Sequence, residues 1–189
     1  MAKVEWLLFL AQLPATPSSL RVNVWRRLRD AGSTSLQNGV WALPRNAENT
    51  IFMQRLLLYV KQNGASSQIF LAQGLDQAIN EDILARFKTD RDQEYDEFLE
   101  QCEALTTELE KESLHQKFTF AELEENEQNL LRLRKWMVKI QKRDFIGGEK
   151  AQTATKALEK CQTAFEAFSI EVYNRHTSLS SPNTDFEGE

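Results

Sequence analysis

Cysteine and histidine are scarce in this sequence, which holds two of each among 189 residues. Cys102 and Cys161 lie far apart in segments with helical periodicity, so they predict neither a disulfide framework nor a metal site, which needs close-set ligands. Neither His115 nor His176 has a cysteine, aspartate or glutamate at the spacing of metal ligands on a helical face that it shares with the other histidine. We therefore expect no metal, no cofactor, and two buried cysteines that pack as small hydrophobic residues.

Glycine-rich and catalytic motifs are also missing. The seven glycines are scattered, apart from the Gly147–Gly148 pair between two helical segments, so no phosphate-binding loop is present. No serine nucleophile motif occurs, and adjacent acids such as Glu124 and Glu125 diverge on a helix instead of forming a carboxylate pair. These absences predict a protein that is not an enzyme.

No stretch approaches the length of about 18 apolar residues that is needed to cross a bilayer. The apolar stretch WLLFLA near the start resembles the core of a short signal peptide, but Glu5 precedes it and the basic flank is a single lysine, Lys3. A similar apolar stretch recurs over residues 68–72. We therefore interpret the first stretch as a buried strand and expect a cytoplasmic protein without membrane contact.

Basic and acidic residues are unevenly distributed along the chain. Residues 1–80 contain eight of the 23 lysines and arginines and four of the 28 acids, which is a net charge of +4. The rest of the chain has a net charge of −9, so the total of −5 conceals a basic first part. This asymmetry predicts that contact with anions belongs to the N-terminal part.

The first part predicts strands that alternate with helices. Leu20, Val24 and Leu28 recur every fourth position, as in the apolar stripe of a short helix, and Asn38–Gly39 is a strong hairpin signal. The predicted elements are a strand over 4–13, this helix, hairpin strands over 34–37 and 40–43, a helix over 48–62 and a strand over 67–72. Their order, βαββαβ, predicts a ferredoxin-like domain over residues 1–75.

Beyond Gly74 the sequence predicts long helices. Three apolar seams with steps of three and four residues begin at Tyr95, Leu123 and Ala151, and breaks fall at 117–119 and at Gly147–Gly148. Each seam needs partners, so we expect an antiparallel three-helix bundle over residues 76–178, with a homodimeric coiled coil as the alternative. Residues 179–189 are polar and are expected to form a disordered tail. The fold class is therefore predicted to be α+β.

The best candidate site is the basic helix in the first part, which Ser18 and Ser19 are predicted to cap. Guanidinium groups bind phosphate and other tetrahedral oxyanions through paired hydrogen bonds, which lysine does less well. The residues predicted to bind DNA or an oxyanion are Arg21, Trp25, Arg26, Arg27, Arg29 and Arg45. The alternative is that these arginines solubilise the helix and pair with acids such as Asp30, and that Trp25 and Trp41 are packing residues rather than platforms for bases.

Three motifs follow one another in the first part of the chain, namely WLLFLAQLP, SSLRVNVWRRLRDAGSTSLQNGVWALP and GASSQIFLAQG. In this order they resemble the N-terminal domain of the ChrB family, over residues 6–74. ChrB proteins are associated with bacterial chromate resistance and regulate the resistance operon in response to chromate. The resemblance implies a regulatory module that binds DNA or a chromate-like oxyanion through its arginines, with the acidic helices serving a protein partner or a homodimer. Nothing in the sequence matches the further C-terminal domain to which sensing in that family is attributed, so we expect a stand-alone N-terminal module.

The same part of the chain is also similar to the small nucleases of CRISPR adaptation and to the middle domain of PaaX-type repressors, both of which are ferredoxin-like. In those nucleases an aspartate at the end of the first strand binds a metal ion, whereas here the strand ends in Ala11–Gln12–Leu13–Pro14, without an acid. A degenerate nuclease and a non-catalytic interaction scaffold therefore remain alternatives to the regulatory module. No recognition helix of the helix-turn-helix type is evident, so we do not expect base-specific reading of DNA.

Overall fold

The computed structural model describes residues 4–16 and 18–178, so the tail predicted over residues 179–189 lies outside the described residues. The chain is an α+β protein, as predicted. The strands are β1 (Trp6–Gln12), β2 (Thr34–Gln37), β3 (Val40–Pro44) and β4 (Ser66–Ala72). The helices are α1 (Ser19–Asp30), α2 (Ala47–Gln62), α3 (Gln77–Leu114), α4 (Phe120–Arg143) and α5 (Glu149–Ser178).

The four strands form one antiparallel sheet in the order β2-β3-β1-β4, which is the ferredoxin-like arrangement predicted from the order of the elements. The core beside this sheet contains Phe9 of β1, Leu28 of α1 and Met53 of α2, and all three are completely buried. Leu20 and Val24 are buried with them, so the predicted apolar stripe holds α1 in place by its burial.

The tight turn between β2 and β3 lies against the end of β1. Gly39 has a φ of +77°, and its carbonyl accepts a hydrogen bond from the Ala11 amide at 2.9 Å. A side chain here would place its Cβ 2.8 Å from the Ala11 carbonyl oxygen, a contact that only glycine avoids. The predicted turn is therefore confirmed, and it fixes the hairpin next to the end of β1.

The first two helices begin in different ways. Ser18 occupies the N-cap position of α1 but makes no capping hydrogen bond through its side chain, so its predicted capping role is wrong. The reason is its helical backbone, with φ −72° and ψ −10°, because a capping side chain needs an extended residue at this position. Ser19 is already the first residue of the helix. Asn46 is extended and caps α2, since its side chain accepts a hydrogen bond from the Asn49 amide at 2.7 Å.

The chain divides into two compact units within α3, after Asp92, and the short segment Arg143–Ile146 also belongs to the first unit. Trp6 stacks on Phe87 of α3, with ring centroids 5.5 Å apart, and donates its indole N–H to Asn80 Oδ1 at 2.9 Å. The first turns of α3 thus complete the core of the sheet domain. The first unit extends past residue 75, where the sequence pattern changes from alternating elements to long helices.

The second unit is a helical bundle in which the rest of α3, α4 and α5 share one core. All residues of the three predicted seams are buried or half-buried in this core. They are Tyr95, Phe98, Cys102, Leu105, Leu109, Leu123, Leu130, Leu133, Met137, Ile140, Ala151, Ala154, Leu158, Cys161, Phe165, Phe168 and Val172. The predicted breaks coincide with the two links between the helices. Among the described residues, no helix is long and apolar enough to span a membrane.

Candidate anion-binding cleft beside the first helix

α1 places Arg21, Trp25 and Arg29 along one side, because residues four apart lie one turn apart on the same face of a helix. This side borders the buried stripe, and Trp25 is 43% exposed. The Arg29 guanidinium lies over the Trp25 ring, 4.9 Å from its centroid, in a cation–π contact. Arg29 therefore contacts the indole from the turn that follows it, and Arg21 lies one turn before it on the same side of the helix.

Arg21 and Trp25 line a cleft of about 440 Å³ between the end of β1, α1 and the β2–β3 hairpin. The other polar residues that line it are Gln12, Ser35 and Asn38. Guanidinium, amide and hydroxyl groups can all donate hydrogen bonds. Within the described chain, none of the residues lining this cleft carries a carboxylate. The cleft therefore offers several donors and one fixed positive charge to an anionic ligand.

The polar residues contributed by the sheet were not predicted as site residues. Asn38 was interpreted only as a turn residue, and Gln12 only as the neutral end of a strand. β1 and β3 pair as far as Leu10 and Val40, so the residues that follow Leu10 and precede Val40 meet at the same edge. The sequence signal that could have identified Gln12 and Asn38 is the predicted pairing of β1 with β3. A polar residue lies at the end of β1, and another lies shortly before the start of β3.

Two of the predicted arginines lie on other faces of α1. Arg27 comes two positions after Trp25, which is about 200° around the helix. Its guanidinium lies 4.0 Å from the centroid of the Tyr59 ring on α2, which occupies its face in a second cation–π contact. Arg26 is exposed on the outer surface of α1. The basic helix therefore does not gather its four arginines around one ligand position.

Arg45 lies at the sheet and has a partner there. Its guanidinium donates to Glu5 Oε2 at 2.6 Å, and its amide donates to the Glu5 carbonyl at 2.8 Å. The charge of Arg45 is therefore matched locally by an acid. The structure brings Arg21, Trp25 and Arg29 together, and it places Arg26, Arg27 and Arg45 apart from them.

Over residues 4–16 and 18–178, no group of three or more histidine, cysteine, aspartate or glutamate side chains is arranged to hold a metal ion. At the end of β1 the chain has the neutral amide of Gln12. The donors that line the cleft can bind an anion through hydrogen bonds.

The helical unit contains a buried polar group that the sequence did not reveal. Asn126 of α4 is 1% exposed and donates to Glu112 Oε2 of α3 at 2.6 Å. The pKa of Glu112 is raised to about 7, mainly by burial. The hydrogen bond from Asn126 opposes this shift, whereas a hydrogen bond with Glu122 and the charges of Glu122 and Glu108 add to it. Glu112 therefore changes its charge near neutral pH inside the bundle.

Comparison with protein families gives a match over most of the chain. A family model described as Protein ChrB, N-terminal, matches residues 21–179. The match runs from α1 through the helical unit, well beyond the segment 6–74 in which the sequence motifs lie. No curated protein and no solved structure matches the chain.

Proposed function

We propose that this chain, which belongs to the family of ChrB N-terminal domains, is a regulatory module of bacterial chromate resistance. We propose further that the module is not catalytic and that it binds oxyanion groups in the cleft beside α1. The observation that carries the binding proposal is the lining of this cleft, with Arg21, three neutral polar residues and no carboxylate among the described residues. Chromate and the phosphodiester group both present oxygen acceptors, which guanidinium and amide donors complement. Such a module would act on transcription in the cytoplasm.

A substitution of Arg26 would distinguish a free oxyanion from the phosphate groups of DNA as the ligand. Free chromate or sulfate is small enough to be held by the cleft alone, where Arg21 supplies the charge. A DNA backbone extends over the surface of the protein, so it would also contact the exposed Arg26 on the outer face of α1. Because Arg27 is stacked on Tyr59, we expect it to contribute to neither ligand.

We expect Arg21→Gln to weaken the binding of chromate and sulfate about tenfold or more, since a hydrogen-bonded charge pair contributes about 1.5–3 kcal/mol. Isothermal titration calorimetry at low salt would measure this directly. Arg26→Gln should leave chromate binding unchanged. If DNA is the ligand, the logarithm of the binding constant falls linearly with the logarithm of the salt concentration. Arg26→Gln should make this slope less steep by about one, as measured with a short duplex.

Arg55→Gln is the matched control, because Arg55 is an exposed arginine on α2 that does not line the cleft. This variant has the same change in net charge and should bind like the wild type. Equal weakening by Arg21→Gln and Arg55→Gln would show that only net charge matters and would contradict a built site. Absence of binding of chromate, sulfate and duplex DNA to the wild type at low salt would refute the proposal.

A protein-interaction scaffold formed by the helical unit is the second candidate function. It is supported by large apolar side chains that are exposed on the bundle, among them Leu114, Ile170 and Tyr173. A protein partner or a second copy of the chain would cover such residues. Sedimentation of the purified chain at increasing concentration would detect the homodimer, and a monomer at all concentrations would leave only a different protein as the partner.

A further inference from the structure

The two cysteines of this chain meet in the core of the helical unit. Cys102 lies on α3 and Cys161 on α5, 59 positions apart in the sequence, and they are 2% and 0% exposed. The Cys161 thiol donates to the Cys102 carbonyl oxygen, with a distance of 3.3 Å from sulfur to oxygen. Both thiols are free. The sequence contains no other cysteine, so both of its thiols lie next to each other in the bundle.

The two thiols also interact with each other. A hydrogen bond from Cys102 to Cys161 lowers the pKa of Cys161 and, together with burial, raises the pKa of Cys102. Burial opposes this shift at Cys161, and Lys160 adds a smaller effect that lowers its pKa. Cys161 is therefore the thiol of the pair that ionises first, and a thiolate is the nucleophilic form of cysteine.

We propose that Cys102 and Cys161 form a dithiol redox site, which a small peroxide converts into a disulfide that links α3 to α5. The Cys161 sulfur already lies 3.3 Å from the backbone oxygen of Cys102, so the two residues need little movement of the helices to form a bond. Local opening of the bundle gives a small oxidant access to side chains that are buried on average. This site is independent of the anion-binding cleft in the first unit.

The reaction is balanced with a peroxide as the only oxidant. The Cys161 thiolate attacks one peroxide oxygen and the O–O bond breaks, which gives a sulfenic acid on Cys161 and a hydroxide that takes up a proton and leaves as water. The Cys102 sulfur then attacks the sulfenic sulfur, the S–O bond breaks, and a second water leaves with the Cys102 proton. Two thiols and hydrogen peroxide thus give one disulfide and two waters, and the two electrons lost by sulfur are gained by the peroxide oxygens.

Hydrogen peroxide treatment of the folded full-length chain tests this proposal by intact mass and by thiol titration in denaturant. We expect the mass to fall by two hydrogen atoms, both titratable thiols to disappear, and the chain to stay monomeric on a non-reducing gel. A reducing agent should restore both thiols. The oxidised chain should also unfold at a higher denaturant concentration, because the cross-link closes a long loop in the unfolded state.

Cys102→Ser supplies the matched control, because it keeps Cys161 and removes its partner. This variant should gain oxygen on Cys161 and lose no hydrogen, provided that circular dichroism shows it to be folded; the wild-type result stands by itself if it is not. The proposal is overturned if the wild type keeps both thiols under conditions that oxidise its unfolded chain, or if it gains oxygen without forming the disulfide. Cross-links only between chains would overturn it as well.

Discussion

Replacing Phe87 with alanine is expected to lower the free energy of unfolding of the N-terminal unit by about 3–5 kcal/mol. Phe87 belongs to a long helix, but its ring is 1% exposed and stacks on Trp6 with an interplanar angle of 10°. It also makes an edge contact with Phe145, with centroids 4.7 Å apart. Removal of the ring leaves a cavity between these aromatic residues, and such cavities cost more than the lost burial alone. Urea denaturation followed by tryptophan fluorescence would measure the loss.

Two substitutions serve as controls for the Phe87 variant. Phe87→Leu retains most of the buried volume, so it should cost only about 1 kcal/mol. Leu75→Ala changes a residue that is 94% exposed, so it should have an effect of less than about 0.5 kcal/mol. A loss below about 1 kcal/mol for Phe87→Ala would contradict the assignment of the first turns of α3 to the core of the sheet domain.

Replacing Glu112 with glutamine is expected to stabilise the helical unit at alkaline pH by as much as about 3 kcal/mol. The pKa of Glu112 is about 7 in the folded chain, above its ordinary value of 4.5, so the folded state binds the proton more tightly than the unfolded state. The stabilisation from this proton is complete below about pH 4.5 and is lost as the pH rises through about 7. Glutamine keeps the shape and the acceptor oxygen for Asn126 but carries no charge to bury.

Denaturation of the wild type and of Glu112→Gln across the pH range would measure this difference. The two stabilities should differ by a constant amount below about pH 4.5, diverge as the pH rises from about 4.5 to 7, and keep the full difference above that range, because only the wild type must bury a charge at high pH. Glu110→Gln alters an exposed glutamate of the same helix, so its curve should remain parallel to that of the wild type. Parallel curves for Glu112→Gln would show instead that Glu112 titrates as it does in the unfolded chain.

The order of the elements and their approximate bounds followed from local patterns in the sequence. The apolar stripe of α1, the Asn38–Gly39 turn and the three seams of the bundle are each written within a short segment. A residue every fourth position faces one side of a helix whatever else the chain does, so these patterns predicted the ferredoxin-like sheet domain and the bundle. Ser18 was the exception, because capping depends on a backbone conformation that the residue type alone does not determine.

The candidate site was predicted only in part. The spacing of Arg21, Trp25 and Arg29 is a property of one helix, so the sequence placed them on one side correctly. It could not show that α2 places Tyr59 under Arg27. It also could not show that the ends of β1 and the hairpin add polar residues beside Arg21, because these contacts join segments that are distant in the chain.

The sequence by itself thus determined the elements, their buried faces and the family of this chain, since periodicity and motifs are local properties. Tertiary structure decided which side chains share a site. Cys102 and Cys161 were each predictable as seam residues, but only the packing of α3 against α5 brought the two thiols together. Glu112 was one acid among many until its neighbours in the bundle removed it from water and raised its pKa. The burial and the hydrogen bonds of these side chains depend on residues that are distant in the chain, and a local sequence pattern does not determine which residues these are.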